Sequence, residues 1–290
     1  LYVNTPFRDQ SRLPNFDSSA KDFNVDSIFT ENAFTGVDRV SDAHQITAGV
    51  TTRLLDPQTG AETMRLGIAQ RYLLRDQFVT PNIATPFSGV GEPLTRRFSD
   101  ILLLGSTHLV RAWSLDASLQ YSPDTKSLAR SVIGARYSPG PYRTVSATYR
   151  LTQGLSEQVE IGWQWPIYGP TPQAAGTSPR SSSVAGAGSS CQGSWYSVGR
   201  INYSTLERRL IDSVVGLEYD AGCWIGRVVA TRLSTGRSEA TTRLAVQLEL
   251  VGLSRLNLGS NPLQVLKDNI PGFRLLRDDR AKGSTLNTYD

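Results

Sequence analysis

VEIGWQWPI, residues 159–167, is the stretch that decides how this chain folds. Its odd positions are Val159, Ile161, Trp163, Trp165 and Ile167, and the even positions between them are Glu160, Gly162, Gln164 and Pro166. A period of two sends successive side chains to opposite sides of an extended backbone, so the segment reads as a β-strand with one apolar and one polar face. It has about the 9 to 11 residues that a tilted strand needs to cross a membrane. Similar segments recur from Ile46 to Val251, and their polar faces carry charges that a packed soluble core would not accommodate.

Working outward, Ser156–Tyr168 forms a hairpin with Tyr142–Leu151 through the turn TQGL. Upstream, Ile46–Leu55 sets Ile46, Ala48, Val50 and Leu54 against Thr47, Thr51 and Arg53. The turn DPQTG (Asp56–Gly60) joins it to Thr63–Leu73, where Met64, Leu66 and Ile68 oppose Arg65, Gly67 and Arg71. Ile101–Val110, Ala112–Ser122 and Lys126–Ser138 follow, the last bounded by a turn at Pro139–Pro141. Downstream come Ser194–Ser204, Leu210–Asp220, Cys223–Ser234 and Ala240–Val251. The eleven segments predict an all-β antiparallel meander, with no amphipathic helix before Leu263–Lys267. Between them lie two long loops, 4–45 and 74–99, and a low-complexity Gly/Ser/Ala/Pro insertion at 169–193. The aromatics Phe16, Phe23, Phe29 and Phe34 give the first loop a means of folding back on itself.

Composition narrows the functional classes. Only 39% of the 290 residues are hydrophobic, and no apolar run approaches a membrane helix, so a membrane role has to come through strands. The net charge is +4, but the 30 basic and 26 acidic residues are dispersed, which argues against nucleic acid. The chain begins at Leu1 without a leader and reads as a mature chain or a piece of a longer one. Cys191 and Cys223 have no zinc-like or CxxC spacing; an oxidising compartment would let them form disulfides.

Two features favour a transmembrane barrel over a soluble sandwich. Aromatics gather at strand ends (Tyr72, Tyr121, Tyr137, Trp163, Trp195 and Trp224 among them), as interfacial girdles require. Loop lengths also alternate, long at 4–45 and 74–99 and short at 56–62 and near Arg111. Eleven is an odd number of strands, so the chain reads as part of a larger, even-stranded barrel.

Several separated motifs resemble one family. LPNFDS (Leu13–Ser18), FTENAFTGVDRVSD (Phe29–Asp42), QWPI (Gln164–Ile167), AGCW (Ala221–Trp224) and QLELVGLSRL…NPLQVLKDNIPGF (Gln247–Phe273) occur in the order found in the lipopolysaccharide-assembly outer-membrane protein family, LptD, also called the organic-solvent-tolerance protein. The resemblance covers nearly the whole chain apart from 169–193 and the last dozen or so residues.

The resemblance implies a non-enzymatic translocon in the outer membrane of a Gram-negative bacterium. It receives lipopolysaccharide from a periplasmic LptA-type bridge through an N-terminal jellyroll, holds an LptE-type lipoprotein plug in its lumen, and releases the lipid sideways. On that reading residues 1–251 supply roughly the C-terminal half of the barrel and 252–290 a periplasmic tail. Arg53, Arg65, Arg71, Arg130, Arg136, Arg150, Arg227 and Arg243 share the polar parity and are expected to face the lumen. They either solvate it and pair with the plug, or contact the phosphorylated head of the lipid directly.

Ala240–Val251, with Leu244, Val246, Leu248 and Leu250, is the expected seam strand, although an ordinary closing strand with an assembly signal fits its residues equally well. A periplasmic end at Val251 makes the loops 4–45, 74–99, 123–125, 152–155, 205–209 and 235–239 extracellular. It makes 56–62, 139–141, 169–193 and 220–222 periplasmic. The family is expected to carry two adjacent cysteines at the AGCW position, tying barrel to N-terminal domain; here Cys223 stands alone before Trp224. Cys191 either replaces the missing neighbour, bonds to Cys223, or stays free.

Nothing signals an enzyme, a metal or a cofactor. His44 and His108 sit in no triad or ligand pattern, and Asp17, Asp22 and Asp26 lack the glycine and terminal Glu of a calcium loop. A general porin or nutrient-receptor barrel is the alternative, and a soluble β-sandwich module the next.

Overall fold

The computed structural model describes residues 2–3, 10, 13–79, 96–169, 193–234, 239–250 and 253–276. Thirteen strands are present among them: β1 Tyr2–Val3, β2 His44–Leu55, β3 Glu62–Leu73, β4 Ile101–Thr107, β5 Trp113–Ser122, β6 Ser127–Gly140, β7 Arg143–Thr152, β8 Ser156–Tyr168, β9 Ser194–Ser204, β10 Arg209–Asp220, β11 Trp224–Ser234, β12 Ala240–Leu250 and β13 Ser254–Leu258. One α-helix, α1, spans Pro262–Asn269. No helix among the described residues is long and apolar enough to cross a membrane.

Sheet order follows chain order, which makes the molecule an all-β meander consistent with part of an outer-membrane barrel. The contacts divide into two compact units, Leu1–Leu109 with Leu115–Ile133 and Arg150–Ser156, and Val110–Ser114 with Gly134–Tyr149 and Glu157–Asp290. In the first, β1 to β5 pair antiparallel in sequence order. In the second, β8 to β13 do the same.

All eleven expected strands are present as β2 to β12. Their ends shift where turn chemistry dictates. The Asp56 carboxylate accepts the Gln58 N–H at 2.8 Å and Gly60 takes φ +69°, so DPQTG closes the β2–β3 hairpin as expected. The expected turn at Pro139–Pro141 is instead Pro141–Tyr142, with Tyr142 at φ +57°, and Pro139 belongs to β6. Ile101–Val110 ends early, at Thr107, and Ala112 turns at φ +68° into β5.

The expected end of the sheet at Val251 is passed by the structure. β13 pairs with β12 from Val246↔Leu258 to Leu250↔Ser254, so β12 is not the last strand. Leu256 and Leu258 extend the apolar stripe of Leu248 and Val246, while Arg255 and Asn257 extend the polar row of Glu249 and Gln247. The tail expected at 252–290 is therefore sheet and packed helix over Ser254–Leu258 and Pro262–Asn269.

The exposed and covered faces

The alternation at 159–167 is realised with its sense inverted relative to a soluble protein. Glu160 and Gln164 are 5% and 0% exposed, whereas Ile161 and Ile167 are 46% and 60% exposed. The same inversion runs through both units. Val50, Leu66 and Ile68 in the first, and Val215, Leu217, Val228, Leu244, Val246 and Leu248 in the second, are exposed. Their strand neighbours Arg71, Glu218, Arg227, Gln247 and Glu249 are buried.

Water does not reward a surface of this kind, since each large apolar side chain left exposed forgoes about 1.5–3 kcal/mol of burial. Hydrocarbon removes that penalty and leaves the backbone satisfied by the strand ladder.

Aromatic rings edge the exposed face where β5, β9 and β11 begin and β6 and β10 end. Trp113 lies 4.9 Å from Tyr137, Trp195 4.7 Å from Tyr219, and Tyr219 5.2 Å from Trp224, centroid to centroid. Trp163 lies across Gly199, where a Cβ would meet its ring at 2.5 Å, and its Nε1–H donates to Ser197 Oγ at 3.0 Å. The missing side chain is what lets the ring lie flat on the neighbouring strand. The Arg143 guanidinium sits 5.9 Å from the centre of the Trp165 ring.

On the covered face of the second unit lies an ion network. Arg227 Nε donates to Glu218 Oε1 at 2.7 Å, and Arg227 Nη1 bonds both Glu249 and Gln247. Arg255 on β13 reaches the other oxygen of Glu249 at 2.9 Å. One strand away Arg200 pairs with Glu160 at 3.3 Å and with Asp212. The covered face is not polar throughout: Val198, Val214 and Val229 form an apolar patch against Leu266 and Ile270 of the α1 region. Gln164 fastens the next segment, donating to the Arg274 carbonyl at 2.8 Å and accepting the Arg274 N–H at 2.9 Å.

In the first unit the covering element is the loop before β2. Ile28, in a 3-10 turn at Ser27–Phe29, packs on Ala69 and Leu102 with Phe23 and Val25 beside it. Arg71 donates to the Ile28 carbonyl and its guanidinium lies 5.8 Å from the Phe23 ring centre. Arg130 pairs with Asp22 at 3.4 Å.

The expectation that aromatics fold this loop back is met at Phe23 and Phe34, while Phe16 and Phe29 stay exposed. The run FTENAFTGVDRVSD organises the loop. Buried Arg39 donates to the Leu13 carbonyl at 2.7 Å, Asn32 accepts the Ser41 N–H at 3.0 Å, and buried Asp42 accepts the Phe78 and Val79 N–H groups. The N–H groups of Phe16 and Asp17 donate to Asp38 at 2.6 and 2.9 Å and hold its carboxyl below the usual pKa.

The eight arginines grouped by parity therefore do different things. Arg227 and Arg71 are buried and bonded. Arg53 and Arg65 share Glu62 at the turn end, at 3.7 and 2.8 Å. Arg130 holds the loop, Arg136 runs past Gly272, Arg150 is half-buried on β7 and Arg243 is exposed on β12. Arg200, Arg255 and the covered valines are further members of this face beyond the eight arginines. Arg200 had a signal, the Tyr196, Val198, Arg200, Asn202 alternation on one face of β9.

His44 opens β2, and the His108 N–H donates to the Thr63 carbonyl at 2.7 Å just beyond β4. No group of three potential metal ligands occurs among the described residues. Cys223 is exposed and unbonded; Cys191 lies outside the described residues.

Residues 1–169, ending with β8, match the family described as LptD, LPS transport system D. The chain belongs to the LptD family. Among curated LptD proteins, the LPS-assembly protein LptD of Albidiferax ferrireducens is 51% identical over 293 residues, covering 100% of this chain and 34% of the relative. That of a Polaromonas species is 49% identical with the same coverage. That of Thiobacillus denitrificans is 36% identical over 94% of this chain and 33% of its own length. The chain thus spans about a third of the LptD relatives it matches. The matched LptD region contains the organised loop and the first eight strands.

Proposed function

We propose that this chain is the C-terminal part of a non-enzymatic outer-membrane translocon that inserts lipopolysaccharide into the outer leaflet of a Gram-negative outer membrane. The observation that carries the reading is the inverted burial of the strands, apolar side chains exposed and charged ones covered, in a member of the LptD family. The exposed face then meets lipid, the aromatic rows sit at the interfaces, and the covered face lines a lumen.

A phosphorylated saccharide head needs a polar, partly cationic route. Arg53, Arg65, Arg130, Arg136 and Arg243 are its candidate contacts, whereas Arg71 holds the covering loop and Arg227 ties β11 to its neighbours β10 and β12. The partners in this reading are lipopolysaccharide, an LptE-type lipoprotein in the lumen and an LptA-type bridge reaching an N-terminal domain. The ends of the strands at 205–209 and 235–239 face outward and the tail faces the periplasm.

β12 is the proposed seam strand, with Leu244, Val246, Leu248 and Leu250 toward lipid. Because β13 already pairs with Val246–Leu250, the opening is assigned to the Ala240–Ala245 half, which has no partner strand on that side among the described residues. An edge with few ladder bonds is the cheaper one to open in hydrocarbon. Cys223 is proposed to bond the N-terminal domain with Cys191 as its companion. A non-reducing gel of the full-length protein, unchanged in mobility by Cys191→Ser, would remove Cys191 from that role.

The test is depletion of the full-length protein in living cells. Newly made lipopolysaccharide should vanish from the surface of intact cells and return with the complemented gene. Normal surface lipopolysaccharide together with impaired small-solute uptake would instead make it a porin or nutrient receptor.

A further inference from the structure

Arg232 interrupts the apolar alternation of the exposed face. On β11 it shares its parity with Val228 and Ala230, and the registers Arg232↔Thr242, Ala230↔Leu244 and Val228↔Val246 repeat that sense on β12. On the other side the partners are Ser213, Val215 and Leu217. Arg232 therefore points the same way as Val215, Leu217, Val228 and Leu244, and stands about 13 Å beyond Val228 along the strand.

Around it Arg209, Leu210, Ile211, Ser234, Glu239 and Ala240 form a recess of about 170 Å³. Arg209 is fixed there, donating to Ser234 Oγ at 3.1 Å and pairing with Glu207. Among the described residues Arg232 has no ion-pair partner.

A guanidinium at the rim of an apolar band suits a phosphate, which its planar fork binds through charge-assisted hydrogen bonds. The four exposed apolar side chains below suit the hydrocarbon attached to that phosphate. We propose that this recess is an external site for a phosphate-bearing membrane lipid, its phosphate on Arg232 and Arg209 and its acyl chains along Val215, Leu217, Val228 and Leu244. Glu239 at the rim restricts the site to a single phosphate and offers an acceptor for a headgroup hydroxyl or amine. The inference rests on the reading of this face as lipid-facing. Lipopolysaccharide and glycerophospholipid share the required chemistry.

The test uses the full-length protein in phosphatidylcholine nanodiscs doped with either bisphosphorylated lipid A or phosphatidylglycerol. Lipid retained after detergent extraction is read by native mass spectrometry. At least one of the two should be retained, and Arg232→Glu or Arg232→Gln should lower retention about tenfold, the loss of one charge-assisted contact.

Arg255→Gln, on the covered-face row of β13, should leave retention unchanged. Heat-modifiable migration verifies that each variant folds, and Arg232→Gln serves where Arg232→Glu does not. Which dopant is retained identifies the source of the phosphate. Equal retention in the Arg232 variants, equal retention of dephosphorylated lipid A, or displacement by inorganic phosphate alone would overturn the site. Surface lipopolysaccharide in cells carrying Arg232→Gln separates the two ideas: its persistence alongside lost retention leaves the translocon reading standing, and its absence on depletion of the whole protein tests that reading alone.

Discussion

In the first unit the covered face is closed over by the N-terminal loop, held by Arg71 on the Ile28 carbonyl, by the exposed Arg130–Asp22 pair and by a small apolar contact at Ile28. In the second unit it is closed over by the C-terminal segment, held by an apolar cluster on α1 beside a network in which Arg227 and Glu218 are 2% and 0% exposed. Exposed ion pairs contribute about 0–1 kcal/mol, whereas removing one member of a buried pair costs about 3–5 kcal/mol. The first cover combines a buried arginine hydrogen bond and a small apolar contact with an ion pair that water can replace; the second lies on a larger apolar cluster beside a buried ion network.

The largest expected effect breaks the ion network beneath the second cover. Arg227→Met leaves Glu218 and Glu249 buried without their shared partner and should destabilise the full-length barrel by about 3–5 kcal/mol. Loss of the heat-modifiable folded form at lower temperature would show it. A change below the cost of an exposed pair would mean that water enters this network.

Leu266→Ala attacks the same cover from above. Its side chain is fully buried against Val198, Val214 and Val229, and truncation should cost about 2–5 kcal/mol, seen as faster proteolysis within 253–276. In the first unit, Arg71→Ala should release the loop at a cost of about 1–3 kcal/mol, with new protease sites in 13–43 and none in α1. Asp22→Ala and Arg130→Ala should each cost less than about 1 kcal/mol, and a double-mutant cycle should return a coupling of that size.

The smallest effect is a pH dependence confined to the loop. Asp38 is held below the ordinary carboxyl pKa by the Phe16 and Asp17 N–H groups, so its contribution is complete above the unfolded value and declines as pH falls through the depressed folded value. Protection of the Phe16 and Asp17 amides, taken relative to their intrinsic exchange rates, should fall only in that acidic window. Loss of protection at neutral pH would show that another group controls the loop.

The two covers also differ in how far they could be read beforehand. The loop's aromatics announced a fold-back, but nothing local assigned Phe23 and Phe34 to the packing and left Phe16 in solvent. The Leu263–Lys267 helix was legible, yet its target was not, because Val198, Val214 and Val229 are apolar residues on the side that the rest of each strand makes polar. Parity grouped Arg53, Arg71 and Arg227 together, since alternation reports only which side a residue faces. The distance to Glu62, Ile28 or Glu218 that separates their roles depends on the neighbouring strand and the cover. SRLNL (Ser254–Leu258) carries too little signal of its own, because five residues of alternation become a strand only when β12 offers an edge in register.

By itself the sequence determined the number of long strands, their order and which side of each is apolar, because side-chain alternation is a property of a single extended backbone and short turns leave few alternatives to a meander. Aromatic placement and loop lengths already favoured the apolar side as the outward one; tertiary structure alone decided that two segments from opposite ends of the chain close over the polar side, and which charged groups are buried. Those outcomes depend on contacts between residues distant in the chain, whose energies no local period encodes.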